Sequence, residues 1–401
     1  MPRLKLLKTV RIAEFPNLLW VLLEDEEGVV GLGETFFAPH AVEAYLHHQA
    51  AQHLRSHSCE DIEGLRVALR PYTGYNGSGA EVRGNSALDI ALWDLLGRRL
   101  GVPVWQLLGG RSREAIRTYN TCAGYQYIRS TEGQQSKNWG LDSVQGPYED
   151  LGAFLSDAGG LAESLLEQGI SAMKIWPLDK YAEASQGQSI TPQQLEEGLE
   201  PFRQIRQAVG DEMQIMLECH GLWSLPAAKD IAKAIEPFDI YWLEDAILAS
   251  SFEPLRELRH STKIKLTGSE TLASRQQFRS LMQTGAVDII MPDLAWCGGL
   301  SEARAIANIA DSFQLPVAPH DCTGPVVWAA ACHLSIHASN ALIQESVRAF
   351  YTGWYNELVD NLPVVEQGYI TPLSGNGLGL QLLPERLEKD DVSIQITELD
   401  G

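Results

Sequence analysis

Leu217-Glu218-Cys219-His220, Trp242-Leu243-Glu244-Asp245 and Gly268-Ser269-Glu270-Thr271 fall within one stretch of 55 residues. Each acid follows a short apolar run, at 213–217, 240–243 and 264–267. Apolar runs of this length, set between helical patterns, predict buried parallel strands in βαβ units. The three glutamates are spaced evenly, 26 residues apart. One strand-helix unit of a closed α/β barrel takes about that many residues. Glu218, Glu244 and Glu270 are therefore expected at the C-terminal ends of neighbouring strands, aimed at one mouth. Carboxylates gathered there repel one another. A hard divalent cation removes that repulsion, and an all-oxygen donor set favours Mg²⁺. A single strand-end acid more often caps the next helix; three in register point to a metal site.

The chain has 401 residues, 45% of them hydrophobic, enough for a barrel and a smaller domain. Its net charge of −21 argues against sequence-independent nucleic-acid binding, which needs a basic face. Six cysteines show no Cys-x-x-Cys spacing, and a reduced, cytoplasmic protein is expected. No run approaches the roughly 20 apolar residues of a membrane span, so no membrane partner is expected.

Outward from the acidic strands, the order of elements is regular. Residues 4–13 and 17–25 read as strands, and a third starts at 29. Helical patterns follow at 38–56 and 59–69, then a glycine-rich loop at 74–79 and a helix from Gly84 whose apolar positions face two sides. Asp89 and Asp94 on that helix are read as capping and packing groups at a domain junction. Residues 116–122 form a first barrel strand. The segment 124–146 is long for a simple connection and is a candidate binding loop; Tyr125, Tyr127 and Trp139 lie in it. Residues 171–175 are a strand, 179–191 a polar insertion and 192–209 one helix. After Glu270 the alternation continues, with strands at 286–291, 315–318 and 342–344 ending in Asp293, His320 and Glu345. The expected organisation is an α+β N-terminal domain (1–115), a barrel (116–370) and a C-terminal segment (371–401) packed on the first domain. An open doubly wound sheet would want a glycine-rich phosphate loop after its first strand, and none is present.

This pattern resembles the enolase superfamily, and within it the mandelate racemase subgroup. The likeness covers nearly the whole chain: the junction helix ending in Leu107-Leu108-Gly109-Gly110, the Lys174 strand tip, the three glutamates, Pro292-Asp293 with Gly298-Gly299, His320 and Glu345. The resemblance implies a modified (β/α)₇β barrel, a form of the TIM barrel, under an α+β capping domain, with one Mg²⁺. It implies that a base removes the proton α to a substrate carboxylate, such sites using a Lys or His base with Mg²⁺. By resemblance Glu218, Glu244 and Glu270 are the metal ligands, and Asp293 with His320 forms a dyad. Glu345 matches the acid that donates a hydrogen bond to the substrate carboxylate. Lys174 matches the first lysine of the subgroup's Lys-x-Lys; the second, catalytic lysine is replaced here by Trp176. A homo-oligomer, an octamer among the options, is also implied.

Read from the residues alone, several roles stay open. Glu345 is either a protonated acid or a carboxylate paired with a nearby Lys or Arg. His220 stands two residues past Glu218, and strand alternation would face both the same way; it is a metal ligand, an acid/base, or a solvated loop histidine. Mg²⁺ prefers oxygen, which favours acid/base work, and by resemblance sugar-acid dehydratases carry such a histidine. Lys174 pairs with the carboxylates or contacts substrate. Trp176, Trp223 and Trp296 each follow a strand end, where aromatics line sugar pockets or simply pack loops. The favoured reading is a Mg²⁺-dependent lyase that dehydrates an acid sugar. The alternatives are a cycloisomerase or epimerase sharing its first step, and a non-catalytic sugar-acid binding protein.

Overall fold

The computed structural model describes residues 2–55, 57–70, 77–129, 135–141 and 145–399. Three strands open the chain: β1 (Leu4–Ile12), β2 (Leu18–Asp25) and β3 (Val30–Phe36). The barrel strands are β4 (Ile116–Thr121), β5 (Ala172–Ile175), β6 (Gln214–Glu218), β7 (Trp242–Glu244), β8 (Leu266–Thr267) and β9 (Gln344–Ser346). A hairpin of β10 (Val364–Glu366) and β11 (Tyr369–Thr371) follows, then β12 (Val392–Glu398).

The barrel closes because β9 returns to pair in parallel with β4, Thr118 opposite Gln344. Between β8 and β9 two extended segments complete the wall. They pair through the parallel bridges Ile290–Val317, Asp293–His320 and Val317–Ala341. The run expected as a strand at 286–291 is one of these segments. The run expected at 264–267 shortens to Leu266–Thr267.

The interior of the barrel is filled by Tyr119, Ala172, Met216, Trp242, Ile289, Met291, Ala318 and Ile343, which form one buried cluster. These residues come from β4, β5, β6, β7, the two extended segments and the approach to β9. In a strand, residues two apart share a face. Two positions beyond members of this apolar layer come Thr121, Lys174, Glu218, Glu244, Asp293, His320 and Glu345. The same pleat that plugs the barrel thus sets a polar layer directly above it, at the C-terminal mouth where barrel chemistry resides.

The N-terminal sheet runs β12-β1-β2-β3, with β12 antiparallel to β1. The helix Ala80–Leu100 lies across β3 so closely that a Cβ at Gly33 would stand 1.9 Å from the Ala87 carbonyl oxygen. Only glycine fits there. Asp94 on that helix accepts from the backbone N–H groups of Leu32 and Leu378 and from Arg98, and Asp89 accepts from Ser301 N–H. Asp89 ties this helix to the barrel, and Asp94 ties it to β3 and to the C-terminal segment.

Glu34 makes a second tie. Its Oε1 accepts from the N–H groups of Val326 (3.1 Å) and Val327 (3.0 Å), at the start of the helix Pro325–His337. Its Oε2 accepts from Trp20 Nε1 at 2.7 Å. A helix N-terminus welcomes a carboxylate, though burial pushes this one up to about 8. A side chain at Gly324 would collide with it. The sheet therefore sits over the mouth, and Thr35 Oγ1 donates to the Ala295 carbonyl at 3.1 Å.

Two readings of helices change. The stretch 179–191 holds a helix, Asp179–Ser185, whose first residue is buried. The stretch 192–209 is two helices, Pro192–Gly198 and Glu200–Val209. The break falls at Leu199 because Pro201, in the first turn of the second helix, supplies no N–H. The loop at 74–79 falls largely outside the described residues, as does part of the segment 124–146. All six cysteines are free and buried. Among the described residues no helix is long and apolar enough to cross a membrane.

His333, inside the helix Pro325–His337, joins this helix to the domain junction. Its Nδ1 accepts from Trp105 N–H at 3.3 Å, and its Nε2 lies 3.2 Å from the Leu378 carbonyl. Burial lowers its pKa from 6.5 to about 4. The unfolded chain therefore takes up a proton near pH 6.5 while the folded chain resists it. Stability is present above pH 6.5 and is lost as pH falls towards 4, by about 2–3 kcal/mol between pH 7 and 4.5. Urea unfolding at the two pH values should show this loss. His333→Gln, which keeps an acceptor and a donor and has no ionisable group, should reduce it by that amount.

Candidate active site

The three glutamates meet. Each of Glu218, Glu244 and Glu270 offers an oxygen, these atoms lie within 4.8 Å of one another, and all three side chains are buried. Glu218 and Glu244 arrive by strand alternation. Glu270 does not: β8 ends at Thr267, and Gly268 and Ser269 turn the chain at φ 144° and 86°. Asp245 holds this turn by accepting from Ser269 N–H at 3.0 Å.

Oxygen-only donors at this spacing suit Mg²⁺. Glu218 Oε2 is buried and has no hydrogen-bond partner among the described residues, as expected of a ligand atom. Neighbouring cations balance the acids. Lys174 Nζ lies 2.6 Å from Glu244, 2.8 Å from Glu345 and 3.6 Å from Glu218. Burial alone would lower the Lys174 pKa; these carboxylates overcome it and hold the ammonium well above its ordinary value.

Asp293 and His320 form a pair, with Nδ1 2.7 Å from Asp293 Oδ2. Asp293 Oδ1 accepts from Ala295 N–H at 2.6 Å, fixing the carboxylate. The other ring nitrogen, Nε2, faces Glu270 at 3.0 Å. Burial depresses the imidazole, but Glu270 and Glu345 more than reverse this and hold it well above 6.5.

Across the pocket stands a second pair. His220 Nδ1 is 2.5 Å from Asp179 Oδ2, and His220 Nε2 is 3.4 Å from the Tyr127 hydroxyl. His220 does not reach this place by strand alternation. Its φ of 47° turns it out of the strand while its N–H donates back to Glu218. Burial opposes its protonation, yet Glu218 and Asp179 raise it to about 9. Asp179 was hidden in a run read as polar insertion, and only the helix that buries it reveals its partner.

His220 and His320 line one pocket. Trp176 and Trp296 line it, with Tyr127 and the cap residue Phe37. Trp296 stacks on Phe37 at 5.9 Å and tilts over His320 at 5.5 Å. Trp176 meets the His220 ring edge-on at 5.8 Å. Trp223 is buried but is not among the lining residues, so its expected place there is corrected. Tyr125 donates to Glu357 instead, and Trp139 packs in the core.

Family models match both parts of the chain: the mandelate racemase/muconate lactonizing enzyme N-terminal domain over residues 9–109, and the enolase C-terminal domain-like family over residues 157–386. The chain belongs to the enolase superfamily, in its mandelate racemase subgroup. An enolase of that subgroup from Agrobacterium tumefaciens is 46% identical, with 99% of each chain covered and a TM-score of 0.88. An enolase protein from Sargasso Sea environmental sequencing is 40% identical, again over 99% of each chain, at 0.89. A Zymomonas mobilis protein provisionally named a dehydratase is 25% identical, over 99% of this chain and 100% of its own, at 0.86. Members of the enolase superfamily are enzymes.

Within this enolase-superfamily site Glu345 is paired with Lys174 at 2.8 Å. Burial pushes its carboxyl up, but Lys174 and His320 outweigh it and hold it below the ordinary range. Lys174, Thr121 Oγ1 and Asp321 N–H all bond to it, the last at 2.8 Å. The alternative left open by the sequence, pairing with a lysine, is the one observed.

Proposed function

We propose that the chain is a Mg²⁺-dependent lyase that dehydrates an acid sugar. One observation carries the reading: two histidine–aspartate pairs face a single pocket beside three buried carboxylates. Glu218, Glu244 and Glu270 would hold the ion. Bound there, Mg²⁺ would supply positive charge to the substrate carboxylate and so lower the cost of charge that develops on loss of the α-proton.

The chain's own groups do the rest. Glu270, which faces Nε2 and raises the imidazole, would turn its charge to the ion instead; with Asp293 fixing the tautomer at Nδ1, His320 Nε2 is then free to take the α-proton. His220 Nε2 donates a proton to the departing β-hydroxyl, with Asp179 holding Nδ1–H. The C–O bond breaks, water leaves, and the enol tautomerises to a 2-keto-3-deoxy acid. Lys174 offsets the carboxylates of Glu244 and Glu345. Trp176, at the place of the subgroup's other lysine, takes no proton; its ring and those of Trp296 and Tyr127 pack the apolar face of the sugar.

The relatives provisionally named dehydratases support this reading. The second histidine pair also suits an epimerase, in which two bases exchange one α-proton. Mass spectrometry separates the two. Acid sugars incubated with enzyme and Mg²⁺ should lose 18 Da and yield a 2-keto acid; an isomer of unchanged mass would favour epimerisation instead.

A further inference from the structure

Residues 34–37, at and just past the end of β3, each meet a segment that follows Asp293 or His320. Glu34 accepts from the N–H groups of Val326 and Val327, past His320. Thr35 Oγ1 donates at 3.1 Å to the carbonyl of Ala295, past Asp293. The Phe36 carbonyl accepts from Trp296 Nε1 at 3.2 Å. The Phe37 ring stacks on Trp296, which in turn tilts over the His320 ring.

Thr35 makes the shortest link to the pair. Asp293 opens a tight turn. Its carbonyl accepts from the N–H groups of Trp296 (3.1 Å) and Cys297 (2.8 Å), and its Oδ1 from Ala295 N–H at 2.6 Å. The turn fixes the carboxylate against its own backbone, but the turn itself must also be held. Ala295 presents its carbonyl to the cap, and the Thr35 hydroxyl answers it. From there the contacts run without a gap: Thr35 to Ala295, Ala295 to Asp293 Oδ1, and Asp293 Oδ2 to His320 Nδ1 at 2.7 Å. Thr35 and Asp293 are both fully buried. A bond lost there is not made good by bulk water, and an orphaned buried acceptor is costly. Without the hydroxyl the turn shifts, and it carries Asp293 with it. Thr35 does not line the pocket, so it reaches the reaction only through this chain of contacts.

We propose that Thr35, a residue of the cap, is a positioning residue for the Asp293–His320 pair, its hydroxyl setting where the carboxylate and the imidazole stand. The proposal rests on His320 being the base. The other pair supplies an internal contrast, because it is held without β3: His220 bonds to Asp179, Tyr127 and Glu218. The competing reading is that Thr35 only pins the cap to the barrel.

Heteronuclear NMR of the histidine ring nitrogens, on the Mg²⁺-loaded full chain, separates the two. His320→Asn and His220→Asn assign the signals. Thr35→Val keeps the shape of the side chain and removes the hydroxyl. It should move His320 Nδ1 away from its protonated position, as the ring loses the tautomer that Asp293 selects, and leave His220 Nδ1 in place. Thr35→Ser, which restores the hydroxyl, should return the wild-type signal. On an acid sugar that the wild type turns over, Thr35→Val should lower kcat about 10- to 100-fold, the scale of a misplacement of up to about 1 Å, with KM within about 2-fold. Thr35→Ala takes its place if Thr35→Val does not fold. Unmoved His320 signals, equal movement of both histidines, failure of serine to rescue, or a rise in KM at unchanged kcat would each overturn the positioning role. Failure of the base role reads differently: His320→Asn would then still exchange the substrate α-proton, whatever Thr35→Val does to the His320 ring.

Discussion

His320→Asn is expected to lower turnover about 10²–10⁴-fold, the usual cost of removing a general base, and to abolish exchange of the α-proton with solvent. The argument is geometric. His320 Nδ1 is committed to Asp293 at 2.7 Å, so Nε2 is the nitrogen presented to the pocket. On the side where the subgroup carries its second lysine, Trp176 offers an indole, which cannot accept a proton. Lys174 is tied up by Glu244 and Glu345. Asparagine is close to histidine in reach and keeps a polar end at Asp293, so the packing beneath Trp296 should survive. Asp293→Asn should reduce both readouts as well, because an amide no longer selects the tautomer with Nε2 unprotonated. Turnover is measured by 2-keto acid formation, and exchange by NMR in deuterium oxide. Exchange at the wild-type rate in a folded, metal-loaded His320→Asn would place the base elsewhere, with His220 next in line.

Glu244→Gln is expected to weaken Mg²⁺ binding by more than the roughly 10–100-fold that loss of an outer-shell partner costs, and to remove turnover with it. Glu244 is the middle member of the triad and fully buried. Its Oε2 accepts from Trp242 Nε1 at 2.7 Å, which holds the carboxylate in place from below. Glutamine keeps the size of the side chain but withdraws one negative charge from a hard-cation site. It also leaves Lys174 with one fewer partner, so the ammonium has less to offset it. Titration of the metal-free protein with Mg²⁺, read by calorimetry, measures the change without any reference to substrate. An unchanged affinity would show that the three glutamates do not form the site.

Much of this was legible before the structure because the pleat of a strand has a period of two. An apolar residue plugging the barrel forces the residue two beyond it to the mouth, and that rule delivers Lys174, Glu218, Glu244, Asp293, His320 and Glu345 together. Periodicity fails where the backbone leaves the strand. Glu270 is reached through two residues with positive φ, and His220 by a left-handed turn of its own. Their positions are right, but the alternation argument does not account for either.

Other features left no trace at all in the pattern. Asp179 sits in a polar stretch that forms a short helix, and its buried carboxylate meets His220 41 residues away. Phe37 comes from the cap, where φ 69° swings its ring onto Trp296. Trp223 had the same strand-end placement as the other two tryptophans yet is packed away from the cavity. Glu345 had two readings that differed only in its neighbour, and a lysine 171 residues earlier decided it. In each case the deciding contact is long-range, and no local signal in the chain announces it.

The most direct test of the account is deuterium uptake at the α-carbon of acid sugars in deuterium oxide, with the wild-type chain, with and without Mg²⁺. The account predicts that at least one acid sugar exchanges its α-proton or turns over to a product deuterated there, that this needs Mg²⁺, and that His320→Asn does neither. Acid sugars that bind to the Mg²⁺-loaded wild type and neither exchange nor react would contradict it.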